Sequence, residues 1–111
     1  MDCTLEVGED AVILKVIGRV DEATWNSFSE GLSGAVRNAR DDGLTRLIVD
    51  LQQLAYMSSR GLRALTVAKR EADEAGVNIS LASPNDVMRE ILAISRYDKL
   101  FTVTDTAEAK R

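Results

Sequence analysis

The chain has 111 residues, 45% of them apolar and 29% charged, which suits one compact core and excludes both a second domain and a disordered chain. Fourteen Lys and Arg against eighteen Asp and Glu leave a formal net charge of −4. With no basic stripe of interleaved aromatics to offset it, that charge repels a phosphate backbone on average and argues against nucleic acid as a partner, and no apolar run approaches the ~20 residues of a membrane span.

Cys3 to Val7 alternate, and after Gly8-Glu9-Asp10 the run Ala11 to Ile17 follows, so a hairpin around an acidic turn is predicted, ended by Gly18. Asp21, or the residue before it, opens the first helix, where Asp21 and Glu22 suit the positive end of the helix dipole. Trp25, Phe28, Leu32, Ala35, Val36 and Ala39 recur at steps of three and four and mark its core face, with Gly31 and Gly34 expected at close packing. Asp41-Asp42-Gly43 breaks that helix. Leu44 to Leu51 is then apolar with almost no alternation, as in a strand covered on both faces.

Gln52 to Ser58 is predicted as a connection, followed by a second helix from about Ser59 to Ala75. Its buried face holds Leu62, Leu65, Ala68, Ala72 and Ala75, and Gly76 is its stop. Val77 to Leu81 is a further strand, and Ser83-Pro84 starts a third helix with Val87, Met88, Ile91 and Leu92 inward. Leu100 to Val103 is predicted as a last short strand, with Thr104-Asp105-Thr106 capping a final helical turn through Ala109. After the hairpin, strands and helices alternate, which favours a single α/β domain over residues 1–111 with parallel strand pairs and helices packed on the sheet. The expected architecture is a mixed β-sheet of four to five strands with about four helices.

Catalytic chemistry finds little to work with. The chain has no histidine, so a serine nucleophile lacks its usual base and an imidazole metal site cannot form. Ser59-Arg60-Gly61 is the latter half of a G-x-S-x-G elbow, but Met57 stands where the first Gly belongs. Asp41 and Asp42 lie in a polar turn where solvation accounts for them. No phosphate-binding glycine loop is present. The expectation is a protein without enzymatic activity and without cofactors. Cys3 is the only cysteine, and Met1-Asp2-Cys3-Thr4 has neither the basic nor the apolar stretch of a secretion signal, so the expected location is the cytoplasm.

Ser59 carries more interest than its size suggests. A serine at a helix start lies beside unpaired backbone N–H groups and the positive end of the dipole. A phosphate there adds about −1.5 to −2 charges that the fold tolerates and a docked partner does not. Either Ser58 or Ser59 could instead serve as the helix cap. Gly61 has a packing account, allowing the helix close to the sheet, while Tyr56 and Met57 form either an exposed contact patch or a half-buried one under the loop.

Several of these segments together carry a resemblance. Leu47-Ile48-Val49-Asp50-Leu51 followed by Ala55-Tyr56-Met57-Ser58-Ser59-Arg60-Gly61-Leu62-Arg63 resembles the signature of the STAS family, of sulfate transporters and anti-sigma factor antagonists. There a buried strand ending in Asp-Leu leads to Asp-Ser or Ser-Ser, a small residue, and Gly-Leu at a helix start. Gly18-Arg19-Val20-Asp21, Ser83-Pro84-Asn85-Asp86-Val87 and Tyr97-Asp98-Lys99-Leu100-Phe101 are similar to other family segments, in order along the chain.

The resemblance implies a stand-alone anti-sigma factor antagonist of a bacterial transcription switch. Such a protein binds an anti-sigma factor, often a serine kinase, and so releases a sigma factor. Phosphorylation at Ser59 by the kinase switches binding off, and a metal-dependent serine phosphatase restores it. Asp21, Tyr56, Met57, Ser58, Ser59, Arg60, Gly61 and Arg63 are the implied partner-binding residues, and a free-standing domain with a polar surface suggests a monomer or weak dimer. Ser58 stands where the family more often has Asp, and Arg60 where it has a small residue. Arg60, with Arg63 one helical step further, is in a position to pair with a phosphate on Ser59. The alternative is a STAS scaffold that never meets a kinase, or a soluble regulatory subunit of a membrane transport complex.

Overall fold

The computed structural model describes residues 1–107. The hairpin forms as β1 (Asp2–Val7) and β2 (Val12–Val20), paired antiparallel from Asp2 opposite Ile17 to Val7 opposite Val12. Helix α1 (Trp25–Asp41) leads to β3 (Arg46–Asp50), β4 (Leu54–Met57) and helix α2 (Ser59–Ala75). Strand β5 (Asn78–Ala82), helix α3 (Asp86–Ser95), the short helix α4 (Tyr97–Leu100) and strand β6 (Thr102–Thr104) complete the described fold.

The sheet runs β1-β2-β3-β5-β6, and β4 pairs separately with β2. All pairs after the hairpin are parallel, as strands joined through helices require. Leu47, Val49 and Leu51 of the β3 segment meet Phe28, Leu32, Leu65, Met88 and Leu92 in the main core on the helix-covered face. Ile48 points the other way into a smaller cluster with Ala11, Ile13 and Ala82, against which Ala107 packs. Strand β3 is therefore covered on both faces, which is why its apolar residues do not alternate.

Six strands form where four to five were expected, because Gln52–Ser58 is not a plain connection: Leu54–Met57 is β4. The cause lies in β2. Val12–Lys15 pair with β3, whereas Gly18–Val20 pair with β4, and the register shifts between Gly18 and Arg19. Gly18 has φ +104°, a conformation that side chains rarely allow. The residue skipped in that register is Ala55 of β4, and the nine residues of β2 are enough to pair with β3 at one end and β4 at the other.

Other boundaries move for local reasons. Helix α1 starts at Trp25 rather than near Asp21, because Glu22–Thr24 make a separate turn and Trp25 N–H donates to the Asp21 carbonyl at 2.9 Å. Of the two glycines expected at close packing, Gly31 faces Cys3, whose Sγ lies 3.3 Å from where a Cβ would stand, whereas Gly34 has only a distant arginine nitrogen nearby at 3.9 Å. Helix α3 begins at Asp86, and Val87 is 51% exposed instead of inward, leaving Met88 and Leu92 as its core residues. Leu100 ends α4, so the last strand is Thr102–Thr104. The expected final helical turn reaches Ala109, outside the described residues; the fourth helix observed is Tyr97–Leu100. No helix among the described residues is long and apolar enough to cross a membrane.

Candidate functional site

The site grows from the junction of β4 with α2. Ser58 N–H donates to the Val20 carbonyl at 2.8 Å, so the end of β2 and the start of α2 are tied together. Ser58 is the N-cap: its backbone is extended (φ −76°, ψ 172°), its hydroxyl accepts from Gly61 N–H at 3.4 Å, and its carbonyl accepts from Leu62 N–H at 3.0 Å. Of the two serines, Ser58 is thus the cap and Ser59 the first helical residue. Ser59 is exposed, and its hydroxyl makes no hydrogen bond among the described residues.

Two of the expected partner-binding residues lie inside. Met57 is 2% exposed and belongs to the main core. Gly61 is buried, and a Cβ on it would stand 2.6 Å from Met57 Cγ and 2.7 Å from Val20 Cγ1. Their place is beneath the surface, where the absence of a side chain at Gly61 lets the first turn of α2 rest on Met57 and Val20.

The remaining expected residues are at or near the surface. Asp21 is half-buried, and its Oδ1 accepts from Ala23 N–H at 3.0 Å and lies 3.1 Å from the Thr24 hydroxyl. That hydroxyl in turn accepts from Asp21 N–H at 2.9 Å and lies 2.8 Å from the Arg19 carbonyl. Thr24 first, and the Ala23 amide second, hold the Asp21 carboxyl below its ordinary value. Its first task is therefore to shape the turn ahead of α1. Tyr56 is 36% exposed with the Arg19 guanidinium 4.7 Å above its ring.

Arg60 reaches away from Ser59. Its Nε lies 3.4 Å from Glu22 Oε2, and its guanidinium sits 5.4 Å from the Trp25 ring centroid. Both ends of the ion pair are well exposed, so it contributes about 0–1 kcal/mol. Arg63 is exposed one turn further along α2, and no hydrogen bond or ion pair engages it among the described residues. Trp25, Ser29, Arg60, Arg63, Ala64 and Val67 line a groove of about 230 Å³ between α1 and α2. Its lining combines apolar Trp25, Ala64 and Val67 with the Ser29 hydroxyl and two cationic side chains.

Glu22, Trp25 and Val67 escaped sequence reasoning as surface residues of this region. Trp25 was accounted for by the core stripe of α1, although it stands at the helix end where the core gives out. Val67 lies on the same helical row as Ser59 and Arg63, a relation that counting in fours along α2 would have found. No group of three or more Cys, Asp or Glu that could hold a metal ion occurs among the described residues.

The family model for the STAS domain matches residues 3–109. A STAS-domain-containing protein of Pseudomonas aeruginosa is 29% identical over 91 residues, covering 82% of this chain and 85% of that protein. BtrV of Bordetella bronchiseptica, whose assigned name is that of an anti-sigma factor antagonist, is 27% identical over 109 residues, covering 98% and 90%. Among solved structures, the anti-sigma factor antagonist SpoIIAA in its unphosphorylated form has a TM-score of 0.73 at 20% identity, covering 94% of this chain and 89% of that one. The phosphorylated form of the Bacillus protein has a TM-score of 0.62 at 21% identity, covering 94% and 92%. With the family model spanning nearly its whole length, and the strand, loop and capped helix of the motif in place, the chain belongs to the STAS domain family.

Proposed function

We propose that this protein is an anti-sigma factor antagonist whose unphosphorylated form binds an anti-sigma factor of the serine-kinase type and releases a sigma factor. Phosphorylation of Ser59 by that kinase ends the binding, and a metal-dependent serine phosphatase renews it. The docking surface comprises Asp21, Tyr56, Ser58, Ser59, Arg60 and Arg63, seated on the buried pair Met57 and Gly61. The protein itself catalyses nothing in this cycle.

One observation carries the reading: the cap of α2 and the free hydroxyl belong to different serines. Ser58 accepts from Gly61 N–H, so a phosphate on Ser59 leaves the cap in place. The added charge stands at the helix N-terminus, where the dipole favours an anion. Folding is spared, while any partner covering Ser59 must accommodate about −1.5 to −2 added charges and the bulk of the phosphate in its interface. The relative named as an antagonist, BtrV, and the two phosphorylation forms in which SpoIIAA was solved support the same reading.

The test is capture from native cells with wild-type protein and Ser59→Asp, followed by identification of the bound proteins. An anti-sigma kinase retained by wild type and lost with Ser59→Asp is the expected result. Membrane transport proteins retained equally by both would overturn the proposal in favour of a transport subunit.

A further inference from the structure

Resting on the reading of Ser59 as the modified residue, we propose that its phosphate is held by Arg63, and that Arg60 stays with Glu22 and Trp25. Adjacent helical residues point about 100° apart around the axis and do not face each other, whereas residues four apart lie on one row with Cβ atoms about 5–6 Å apart. Ser59, Arg63 and Val67 form such a row on the exposed side of α2. Arg60 belongs to the neighbouring row with Ala64, turned toward α1.

The two arginines also differ in what they already do. Arg60 has an ion pair at 3.4 Å and an aromatic ring at 5.4 Å to leave behind. Arg63 has no hydrogen bond or ion pair among the described residues to break. An anion placed four residues N-terminal to a cation is the favourable order on a helix. The planar guanidinium can take two phosphate oxygens at once. Arg63 also edges the groove between α1 and α2. Drawn onto the phosphate, it leaves that edge, so the modification is felt one helical turn beyond Ser59 itself.

The experiment places phosphoserine at position 59 of the full chain during translation. The second ionisation of the phosphate is then followed by phosphorus NMR against pH at low salt, with circular dichroism confirming that each variant is folded. Arg63→Ala is expected to raise that ionisation by about 0.3 of a unit or more, Arg63→Lys to restore part of the shift, and Arg60→Ala to move it less than half as far. A shift with Arg60→Ala equal to or larger than that with Arg63→Ala, or no shift with either, overturns the assignment. Because the phosphate is installed without a kinase, its absence from protein in native cells would sink the function proposed above and leave the pairing to be decided here.

Discussion

Helices α2 and α3 open on nearly the same backbone, with Ser58 at φ −76°, ψ 172° and Asn85 at φ −72°, ψ 177°. Each side chain accepts a hydrogen bond from the amide three residues on, at 3.4 Å for Ser58 and 3.0 Å for Asn85. There the likeness ends. Asn85 Nδ2 also donates to the carbonyls of Leu54, Gln52 and Leu51 at 2.8, 3.0 and 3.5 Å, so this cap clamps the loop between β3 and β4. The Ser58 side chain makes only the cap bond among the described residues, and the next hydroxyl stands on the surface with none. A polar residue with every bond occupied serves the fold. A second hydroxyl beside a cap that is already satisfied has chemistry to spare.

Removing the clamp should produce the largest effect. Asn85→Ala loses the cap and strands carbonyls beneath it, and should destabilise the protein by about 2–3 kcal/mol in urea unfolding. A value under 1 kcal/mol would mean that the loop stands without it. Gly61→Ala comes next. Its new Cβ meets Met57 and Val20 at 2.6 and 2.7 Å, and the overpacking should cost about 1–3 kcal/mol. The Met57 and Val20 contacts are side-chain atoms, so trimming Met57 to Leu in the same protein should change that cost, a coupling a double-mutant cycle would read.

The paired serines sharpen the contrast further. Ser58→Ala should cost about 1 kcal/mol as a lost cap, and Ser59→Ala less than about 0.5 kcal/mol as an exposed substitution. Equal costs would erase the distinction between cap and switch. The smallest effect concerns Asp21, whose carboxyl is held below its ordinary value by Thr24 and Ala23. A depressed carboxyl stabilises the fold above its unfolded value of about 3.9 and loses that contribution as pH falls through the folded value. The stability difference between wild type and Asp21→Asn should therefore be present near neutrality and shrink in acid, as thermal melts across that range would show.

Legibility in the sequence followed the physics of each element. The bounds of helix α2 were readable because a serine pair marks its start, a 3.6-residue apolar period runs through it, and Gly76, at φ +73°, closes it, whereas Ala64 was missed on its buried face and Leu62 and Ala75 are only partly buried. Strand β4 was not readable. Its burial runs inside, outside, outside, inside, because Ala55 is skipped in the pairing with β2, and that pairing joins residues far apart in the chain. Val87 resembles a core residue beside Met88, Ile91 and Leu92, but α3 turns the Met88–Leu92 row to the core with Ile91 at its margin, which leaves Val87 51% exposed.

At the site, the signature residues were legible and their depths were not. Tyr56 and Met57 are neighbours on a strand, so one side chain must face out and the other in, and only the pairing of β4 with β2 decides which. The direction of Arg60 depends on Glu22 and Trp25, which the turn ahead of α1 brings across from another helix.

The central claim, that Ser59 carries the switch while Ser58 carries the cap, is tested most directly by the phosphorylation state of the protein isolated from its native cells, using intact mass and peptide mapping. The account predicts a single phosphate on Ser59, absent from Ser59→Ala and still present in Ser58→Ala. Phosphate on Ser58 instead, or none under any growth condition with Ser59→Ala fully active, would contradict it.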